Sequence, residues 1–208
     1  MRLVFASNNA HKLEEVRAIL GTDMEVLSLQ DVNFTQEIDE TGTTLEENSL
    51  LKAQTVWKHL FEQPHLGAER MIDGVFADDT GLEIHALDGK PGVHTARWAA
   101  IEGFGTQEVS HTSGNNRKLA LKSLAGEDDR RAQFRTVVTY ITANGLMQQV
   151  EGVVKGMIAA EEKGEGGFGY DPIFVPEGYE KTFAELPAEI KNGISHRARA
   201  IKALCEIL

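Results

Sequence analysis

The chain has 208 residues, a formal net charge of −11 and 25% charged residues, with a pI near 5.1. This length lets one domain, or one domain in two lobes, bury most of its apolar surface. The acidic balance argues against nucleic acid or an anionic membrane surface as a partner, and it favours small-molecule partners.

Cysteine content and hydropathy indicate the cellular compartment of the protein. Cys205 is the single cysteine, so an internal disulfide is excluded and a reducing compartment fits. We expect its thiol to pack in the core. The amino terminus does not resemble a signal peptide, and no stretch reaches the length of a membrane span. We therefore expect a cytoplasmic protein.

The first segment predicts a strand, a loop and a helix. The apolar run 3–6 leads into a polar loop containing Ser7 and Asn9, and a periodic helix begins near Lys12 and ends at Gly21. Unpaired N–H groups at the helix start, together with Lys12, would suit a phosphate. Alternatively, Ser7 or Asn9 only caps the helix and Lys12 is solvated.

A second strand is predicted at residues 24–29, followed by a polar connection at 31–41. A long helix then runs to about His59 or Phe61, with Thr43 or Thr44 as its cap and a glutamate at 46 or 47 closing a capping box.

Two charged residues near this helix lack a local explanation. Glu40 lies before the helix begins, so capping does not account for it. Lys52 lies within the helix, on a face that we predict to be polar. Both are therefore candidates for a site.

An apolar strand at residues 75–77 meets two adjacent carboxylates, Asp78 and Asp79, followed by Thr80 and Gly81. Neighbouring carboxylates are rarely buried unless they are paired or bind a cation, so a metal site or a proton-transfer role is one interpretation. The other is an acidic turn that joins this strand to a half-buried strand at 82–84. Consecutive strand side chains point to opposite faces, so the two aspartates need not share one role.

Further elements follow in order. Residues 88–92 predict a turn, residues 93–98 cross the surface, and a helix begins at Thr112 or Ser113 and ends near Leu124. The clearest prediction is a β-hairpin, because long β-rich runs at 132–143 and 146–160 are joined by Asn144-Gly145, the preferred type I′ pair.

The glycine-rich run 164–172 is too flexible for a helix or a strand. It is either a flexible surface loop or a ligand-facing loop, and the rings of Phe168 and Tyr170 favour the ligand because they can stack on a flat group. A short strand at 173–175 and a short helix at 184–191 follow.

The first turn of the last predicted helix also indicates a ligand. Ser195 is a natural N-cap, which places His196 and Arg197 in the first turn, where the helix dipole disfavours cations. Both side chains are either solvated or held by an anionic or carbonyl-bearing ligand.

Together these loops supply carboxylates, cations, helix amino ends and an aromatic loop. Mg²⁺ binds triphosphates through one or two carboxylates, lysines neutralise the remaining oxygens, and a ring stacks on the base. Six ordered blocks carry a resemblance: Ser7-x-Asn9-x-x-Lys12, Glu40-Thr41-Gly42-x-Thr44 with Glu47-Asn48 and Lys52, Asp78-Asp79-Thr80-Gly81-Leu82, Pro91-Gly92-Val93, Phe168-Gly169-Tyr170-Asp171-Pro172 and Ser195-His196-Arg197. With them the chain resembles the non-canonical purine nucleoside triphosphate pyrophosphatases, the inosine triphosphatase family.

The resemblance implies an elongated, two-lobed α/β fold around a long mixed β-sheet with flanking helices and an active-site cleft between the lobes. Residues 1–208 would form a single two-lobed catalytic domain, and the protein would be a homodimer. The implied activity is Mg²⁺-dependent hydrolysis of ITP, dITP or XTP to the monophosphate and pyrophosphate, which keeps deaminated purines out of DNA and RNA.

Roles carry over residue by residue from the same resemblance. Asp79 is similar to the catalytic base that activates water, and Glu40 and Asp79 look like the metal ligands. Substrate contacts are implied for phosphate-binding Ser7, Asn9, Lys12 and Lys52, for Thr80, for the loop Phe168, Gly169, Tyr170 and Asp171, and for Lys191, His196 and Arg197. Arg197 has only donors, which suits the carbonyl at purine position 6 of inosine and xanthosine.

Two other function classes stay open. One is a nucleotide-binding regulatory module without catalysis, against which three nearby carboxylates argue, because a pure anion binder gains little from them. The other is a phosphatase that releases orthophosphate. His94, where a tyrosine is frequent, and Thr80, where a serine is common, depart from the family pattern.

Overall fold

A computed structural model describes residues 1–62, 71–105 and 113–208. Over these residues the chain has the α/β architecture that the sequence predicts, with a mixed sheet and flanking helices. The strands are β1 (Arg2–Phe5), β2 (Glu25–Leu27), β3 (Gly74–Ile84), β4 (Pro91–Gly92), β5 (Arg131–Thr142), β6 (Met147–Ile158) and β7 (Phe174–Pro176). The helices are α1 (Ala10–Leu20), α2 (Leu45–Phe61), α3 (Trp98–Ile101), α4 (Ser113–Ser123), α5 (Ala188–Ile194) and α6 (His196–Cys205).

Strand pairing sets which loops are neighbours. The described strands form one sheet in the order β2-β1-β3-β5-β6-β7, and β4 pairs with β3. β1 runs parallel to β2 and to β3, whereas β3 with β4 and β6 with β7 are antiparallel. Phe5 of β1 lies opposite Phe76 of β3. The loop that follows β1 is therefore level with the two aspartates that follow Phe76.

The chain divides into two compact units. Unit 1 comprises Met1–Asp79, Thr136–Gly152 and Arg197–Leu208. Unit 2 comprises Thr80–Arg135 and Val153–His196.

Unit 1 has two apolar clusters, one on each face of its strands. In one cluster, Phe76 of β3 packs with side chains of α1 and α6 such as Val16 and Ile201. In the other, Ala77 of β3 packs with α2 side chains such as Val56. Alternation along β3 thus assigns its two faces to different helices.

Unit 2 has one principal cluster. Its buried members include residues of β3, β5, β6, β7, α3 and α4, together with Phe183. The rings of Phe134 and Phe174 lie 4.7 Å apart. No helix among the described ranges has the length and apolar character needed to cross a bilayer.

The largest difference from the sequence prediction lies in β3. Residues Asp78, Asp79, Thr80 and Gly81 do not form a turn, because β3 continues through them as a single strand to Ile84. The predicted acidic turn, and the separate strand after it, are therefore wrong. A strand can keep buried carboxylates at its centre only if cations neutralise them.

Several smaller predictions are also corrected. The hairpin exists, but Thr142 and Gly145 close a turn in which only Gly145 has a positive φ, whereas type I′ requires positive φ at both central residues. Trp98 does not cross the surface; it is buried and begins α3. Cys205 is exposed rather than packed in the core.

Element boundaries shift by a few residues elsewhere. The strand predicted at 24–29 shortens to β2, and the helix predicted at 184–191 forms instead at Ala188–Ile194. The helix predicted to begin at Thr112 or Ser113 is observed from Ser113, and Thr112 lies outside the described residues.

Candidate functional site

Asp78 is the centre of a buried ion cluster in unit 1. Its Oδ1 accepts a hydrogen bond from Lys12 Nζ at 2.8 Å, and its Oδ2 accepts one from Arg197 Nε at 3.0 Å. Arg197 Nη1 also donates to Glu15 Oε2. The side chains of Asp78 and Arg197 are almost wholly buried. One carboxylate thus joins the start of α1 to the first turn of α6.

Asp79 points to the other face of β3 and meets α2. Its Oδ1 accepts from Lys52 Nζ at 2.8 Å, and the same ammonium donates to Glu40 Oε1 at 3.0 Å. The side chain of Lys52 is 8% exposed and that of Asp79 is 9% exposed, whereas that of Glu40 is 39% exposed. The polar helix face predicted for Lys52 is therefore a buried one.

Asn48 connects the loop before α2 to Asp79. Its Oδ1 accepts from Gly42 N at 2.8 Å, and its Nδ2 lies 3.5 Å from Asp79 Oδ2. Thr44 caps α2, because its hydroxyl accepts from Glu47 N. Glu47 in turn accepts from Thr43 N. These local bonds determine where α2 begins, and hence where Lys52 projects.

Ser7, Asn9 and Lys12 lie at the amino end of α1. Asn9 is the N-cap and accepts from Lys12 N at 3.2 Å, and Ser7 Oγ accepts from Asn9 N. Capping by Asn9 is therefore observed, but Lys12 is not a solvated lysine. Its side chain is 14% exposed, and its ammonium contacts Asp78.

A second group lies in unit 2, in the glycine-rich loop. The Oδ2 atom of Asp171 accepts from Phe168 N at 2.7 Å and from Lys191 Nζ at 2.6 Å. The ammonium of Lys191 lies 4.9 Å from the centroid of the Phe168 ring and 5.9 Å from that of Phe183. A cation above an aromatic face is attracted to it. The half-buried ring of Phe168 is thus held by Lys191, which is itself anchored by Asp171.

The remaining predicted residues of unit 2 surround this loop. Tyr170 is buried and donates its hydroxyl proton to Thr95 O, and Gly169 O accepts from Arg117 Nη1. The ring of His196 stacks on Phe134 at 4.5 Å. Thr80 is half-buried in β3.

The structure therefore assembles the predicted residues into two groups, one per unit. In unit 1, Lys12 and Arg197 both pair with Asp78, and Lys52 pairs with Glu40 and Asp79. Unit 2 joins Phe168, Asp171 and Lys191.

Sequence reasoning assigned no role to two members of the unit 1 cluster, Glu15 and Asn48. Helical spacing could have indicated both. Glu15 is three residues after Lys12 on α1, and Asn48 is four residues before Lys52 on α2, so each shares a helix face with a predicted lysine.

A concavity of about 810 Å³ lies elsewhere on unit 2, over the strand face that carries Glu83, Gln133 and Met157. None of the predicted site residues lines it. The chemistry-bearing groups and this concavity are therefore different features.

Electrostatics separate the two neighbouring aspartates. Burial raises the pKa of Asp78, but Lys12 and Arg197 outweigh burial and hold the pKa well below its usual range. Burial raises the pKa of Asp79, and Lys52 and Lys12 oppose this only in part, so the pKa lies above its ordinary value. A carboxylate with a raised pKa is the better proton acceptor. Asp79 is therefore the better suited of the two to act as a base.

The lysines respond to the same charges. Burial lowers the pKa of Lys52, but the carboxylates of Asp79 and Glu40 outweigh it and raise the pKa. For Lys12, burial and the nearby cations lower the pKa despite Asp78. An anion placed beside Lys12 would raise this pKa again, because an opposite charge favours the charged ammonium.

The oxygen donors of Glu40 and Asp79 suit a hard divalent cation. Both carboxylates face a single ammonium, so a positive charge already occupies the space between them. Among the described residues no group of three or more His, Cys, Asp or Glu side chains could hold a metal ion.

Comparison with known proteins agrees with this fold. The model of the Ham1 family matches residues 3–207. A dITP/XTP pyrophosphatase of Flavobacterium johnsoniae is 43% identical over 208 residues, covering 100% of this chain and 98% of that protein. A dITP/XTP pyrophosphatase of Porphyromonas gingivalis is 44% identical over 207 residues, covering 100% and 97%. The structure of the Staphylococcus aureus Ham1 protein matches with a TM-score of 0.81 and 36% identity, covering 100% of this chain and 97% of that chain.

The fold and the ion clusters define an α/β protein with acidic and basic groups gathered on one strand and the helices beside it. The chain belongs to the Ham1 family. This confirms the family resemblance inferred from the six motif blocks, and the α/β fold with its mixed sheet and flanking helices is confirmed as well.

Proposed function

We propose that this protein hydrolyses the non-canonical purine nucleoside triphosphates ITP, dITP and XTP to the monophosphate and pyrophosphate. Relatives named dITP/XTP pyrophosphatases, which align over the whole chain, support both the enzymatic activity and the substrate class. The observation that carries the chemistry is the contact of Asp79 and Glu40 with one ammonium, beside Lys12.

Unit 1 supplies the groups for bond cleavage. Asp79 accepts a proton from the attacking water, and the water oxygen forms a bond to the α-phosphorus. The anhydride bond between the α- and β-phosphates breaks, and pyrophosphate leaves. Lys12, Lys52 and the amino end of α1 balance the charge on the phosphate oxygens. Glu40 and Asp79 would hold the divalent cation, Mg²⁺ in this proposal. When bound, it lowers the pKa of water and neutralises phosphate charge.

Unit 2 supplies groups for the purine. Phe168 stacks on the base, with Lys191 on its ring and Asp171 fixing both. Asp171, Lys191 and His196 of unit 2 serve the base edge, and unit 1 contributes Arg197. The Arg197 guanidinium donates hydrogen bonds to the carboxylates of Asp78 and Glu15. Because its guanidinium carries only donors, Arg197 can donate to a carbonyl at purine position 6 but has no acceptor for the amino group of adenine.

The remaining assignments belong to the same proposal. Ser7 and Asn9 bind phosphate at the helix start, and Thr80, Gly169 and Tyr170 contact the substrate. We also propose that the protein is a homodimer in the cytoplasm and that it acts on nucleotides rather than on nucleic acid. Light scattering at the working concentration measures the oligomeric state, and a monomer would refute the proposed dimer.

One substrate panel tests the function. Turnover of ITP, dITP, XTP, ATP and GTP is measured with Mg²⁺, scoring pyrophosphate against orthophosphate. We expect pyrophosphate and a strong preference for the first three. Equal or faster turnover of ATP and GTP, release of orthophosphate, or triphosphate binding without hydrolysis would refute the proposal.

Two variants complete this panel. Asp79→Asn should abolish turnover, because the proton acceptor is lost. Asp129→Asn should keep turnover, since Asp129 pairs with His85 and Arg131 at the surface of unit 2.

A further inference from the structure

The ammonium of Lys52 lies between the two carboxylates that the proposed function assigns to the metal. Its distance is 2.8 Å to Asp79 Oδ1 and 3.0 Å to Glu40 Oε1. The second oxygen of Asp79 faces another donor, the Nδ2 atom of Asn48 at 3.5 Å. These three contacts are all with N–H groups.

These contacts conflict with a bound divalent cation. Mg²⁺ approaches carboxylate oxygens to about 2.0–2.1 Å, so a metal bound between Asp79 Oδ1 and Glu40 Oε1 would take the place of the Lys52 ammonium. Two positive charges within a few ångströms repel strongly in a site of low exposure. The metal and the ammonium of Lys52 therefore compete for Asp79 Oδ1 and Glu40 Oε1.

We infer that Lys52 occupies the metal position in the nucleotide-free protein and makes divalent cation binding depend on the nucleotide. This inference rests on the proposed function and adds the order in which its ligands bind. A triphosphate brings enough negative charge for both cations, so the ammonium turns from the carboxylates to phosphate oxygens as the metal takes its place.

Local structure permits this exchange at Asp79 and not at Asp78. Lys52 is a single ammonium on a flexible four-carbon chain, and its second partner, Glu40, lies in the irregular segment before α2 and is 39% exposed. Asp78 is held by cations from two helices and is fully buried. Moving a metal onto Asp78 would displace two cations, of which Arg197 has a side chain that is only 1% exposed.

Binding of Mn²⁺ alone tests the inference. Free Mn²⁺ is measured by electron paramagnetic resonance during titration of the full chain without nucleotide. Lys52→Met should bind Mn²⁺ at least about tenfold more tightly than the wild type, because a competing charge is removed. The gain should disappear in Lys52→Met combined with Glu40→Gln. Lys58→Met, an exposed lysine of the same helix, should leave the affinity unchanged.

Thermal unfolding provides a second measurement of the same difference in Mn²⁺ affinity. Mn²⁺ should raise the Tm of Lys52→Met more than that of the wild type, because it binds the folded state more tightly. If Lys52→Met does not fold without metal, Lys52→Gln, whose amide can still donate to a carboxylate, undergoes the same titration and should also gain affinity.

The outcomes separate this inference from the proposed function. A Lys52→Met or Lys52→Gln protein that binds Mn²⁺ no more tightly than the wild type overturns the inference, even if the wild type hydrolyses ITP. A wild type that hydrolyses none of ITP, dITP and XTP overturns the proposed function, whatever the Mn²⁺ titration gives.

Discussion

Replacing Asp78 with asparagine should cost stability, whereas replacing its neighbour Asp79 should cost activity. Asp78 accepts one hydrogen bond from Lys12 at 2.8 Å and one from Arg197 at 3.0 Å. Hydrogen bonds to charged groups contribute roughly 1.5–3 kcal/mol each, and breaking a buried ion pair costs about 3–5 kcal/mol. Asparagine keeps one acceptor oxygen, so we expect Asp78→Asn to lose about 3–5 kcal/mol of unfolding free energy.

Urea unfolding followed by circular dichroism measures this loss, with Asp79→Asn as the matched control. After that change Lys52 still contacts Glu40 at 3.0 Å, so the control should lose only about 1–2 kcal/mol. Pyrophosphate release should vanish in the control. An Asp78→Asn protein that is as stable as Asp79→Asn would contradict the structural role assigned to Asp78.

The pH dependence of this loss has a definite sign. Lys12 and Arg197, working against burial, hold the pKa of Asp78 below its ordinary value, which is about 3.9 in an unfolded chain. The folded state therefore binds fewer protons, and the contribution of Asp78 is fully present above the unfolded pKa and is lost as pH falls toward the folded one. The stability gap between wild type and Asp78→Asn should narrow as pH drops below about 5. A gap that stays constant down to about pH 3 would show that charge is not its origin.

Two glycine substitutions test close approaches. A Cβ at Gly42 would lie 2.6 Å from Asn48 Oδ1, so Gly42→Ala should displace Asn48 from Asp79 and lower kcat/KM for ITP; unchanged kinetics would contradict this link. A Cβ at Gly156 would lie 2.3 Å from Val175 O, so Gly156→Ala should destabilise the protein by about 1–3 kcal/mol in urea. Gly193→Ala, in open helical space, should instead be neutral or stabilising by up to about 1 kcal/mol.

Local signals in the sequence were sufficient for much of the secondary structure. The cap at Thr44 and the end of α1 before Gly21 are both observed, because caps depend on hydrogen bonds between residues close in sequence. The glycine-rich loop was also predicted from local sequence, because its glycine content disfavours a helix or a strand. Cys205 was placed wrongly in the core, since the buried face of α6 is carried by Ala200, Ile201 and Leu204, and the next residue turns about 100° away from it.

The failure at β3 has a long-range cause. Asp-Asp-Thr-Gly is a turn by local preference, yet these residues remain in one strand. The cations that make burial of Asp78 possible come from Lys12 and Arg197, which are 66 and 119 residues away in sequence. No local pattern contains those partners. The motif blocks predicted candidate site residues, while the pairing of each carboxylate with its cations required the structure.

The alternation of side chains along β3 explains how two adjacent aspartates acquire different roles. On one face, Phe76 and then Asp78 meet α1 and α6, which together bring two cations to one carboxylate. On the other face, Ala77 and then Asp79 meet α2, which brings one ammonium shared with Glu40. A carboxylate bonded to two cations is neutralised and held in place. A carboxylate that shares one ammonium keeps an excess of negative charge. We therefore propose Asp79, rather than Asp78, as the residue that exchanges a cation and accepts a proton.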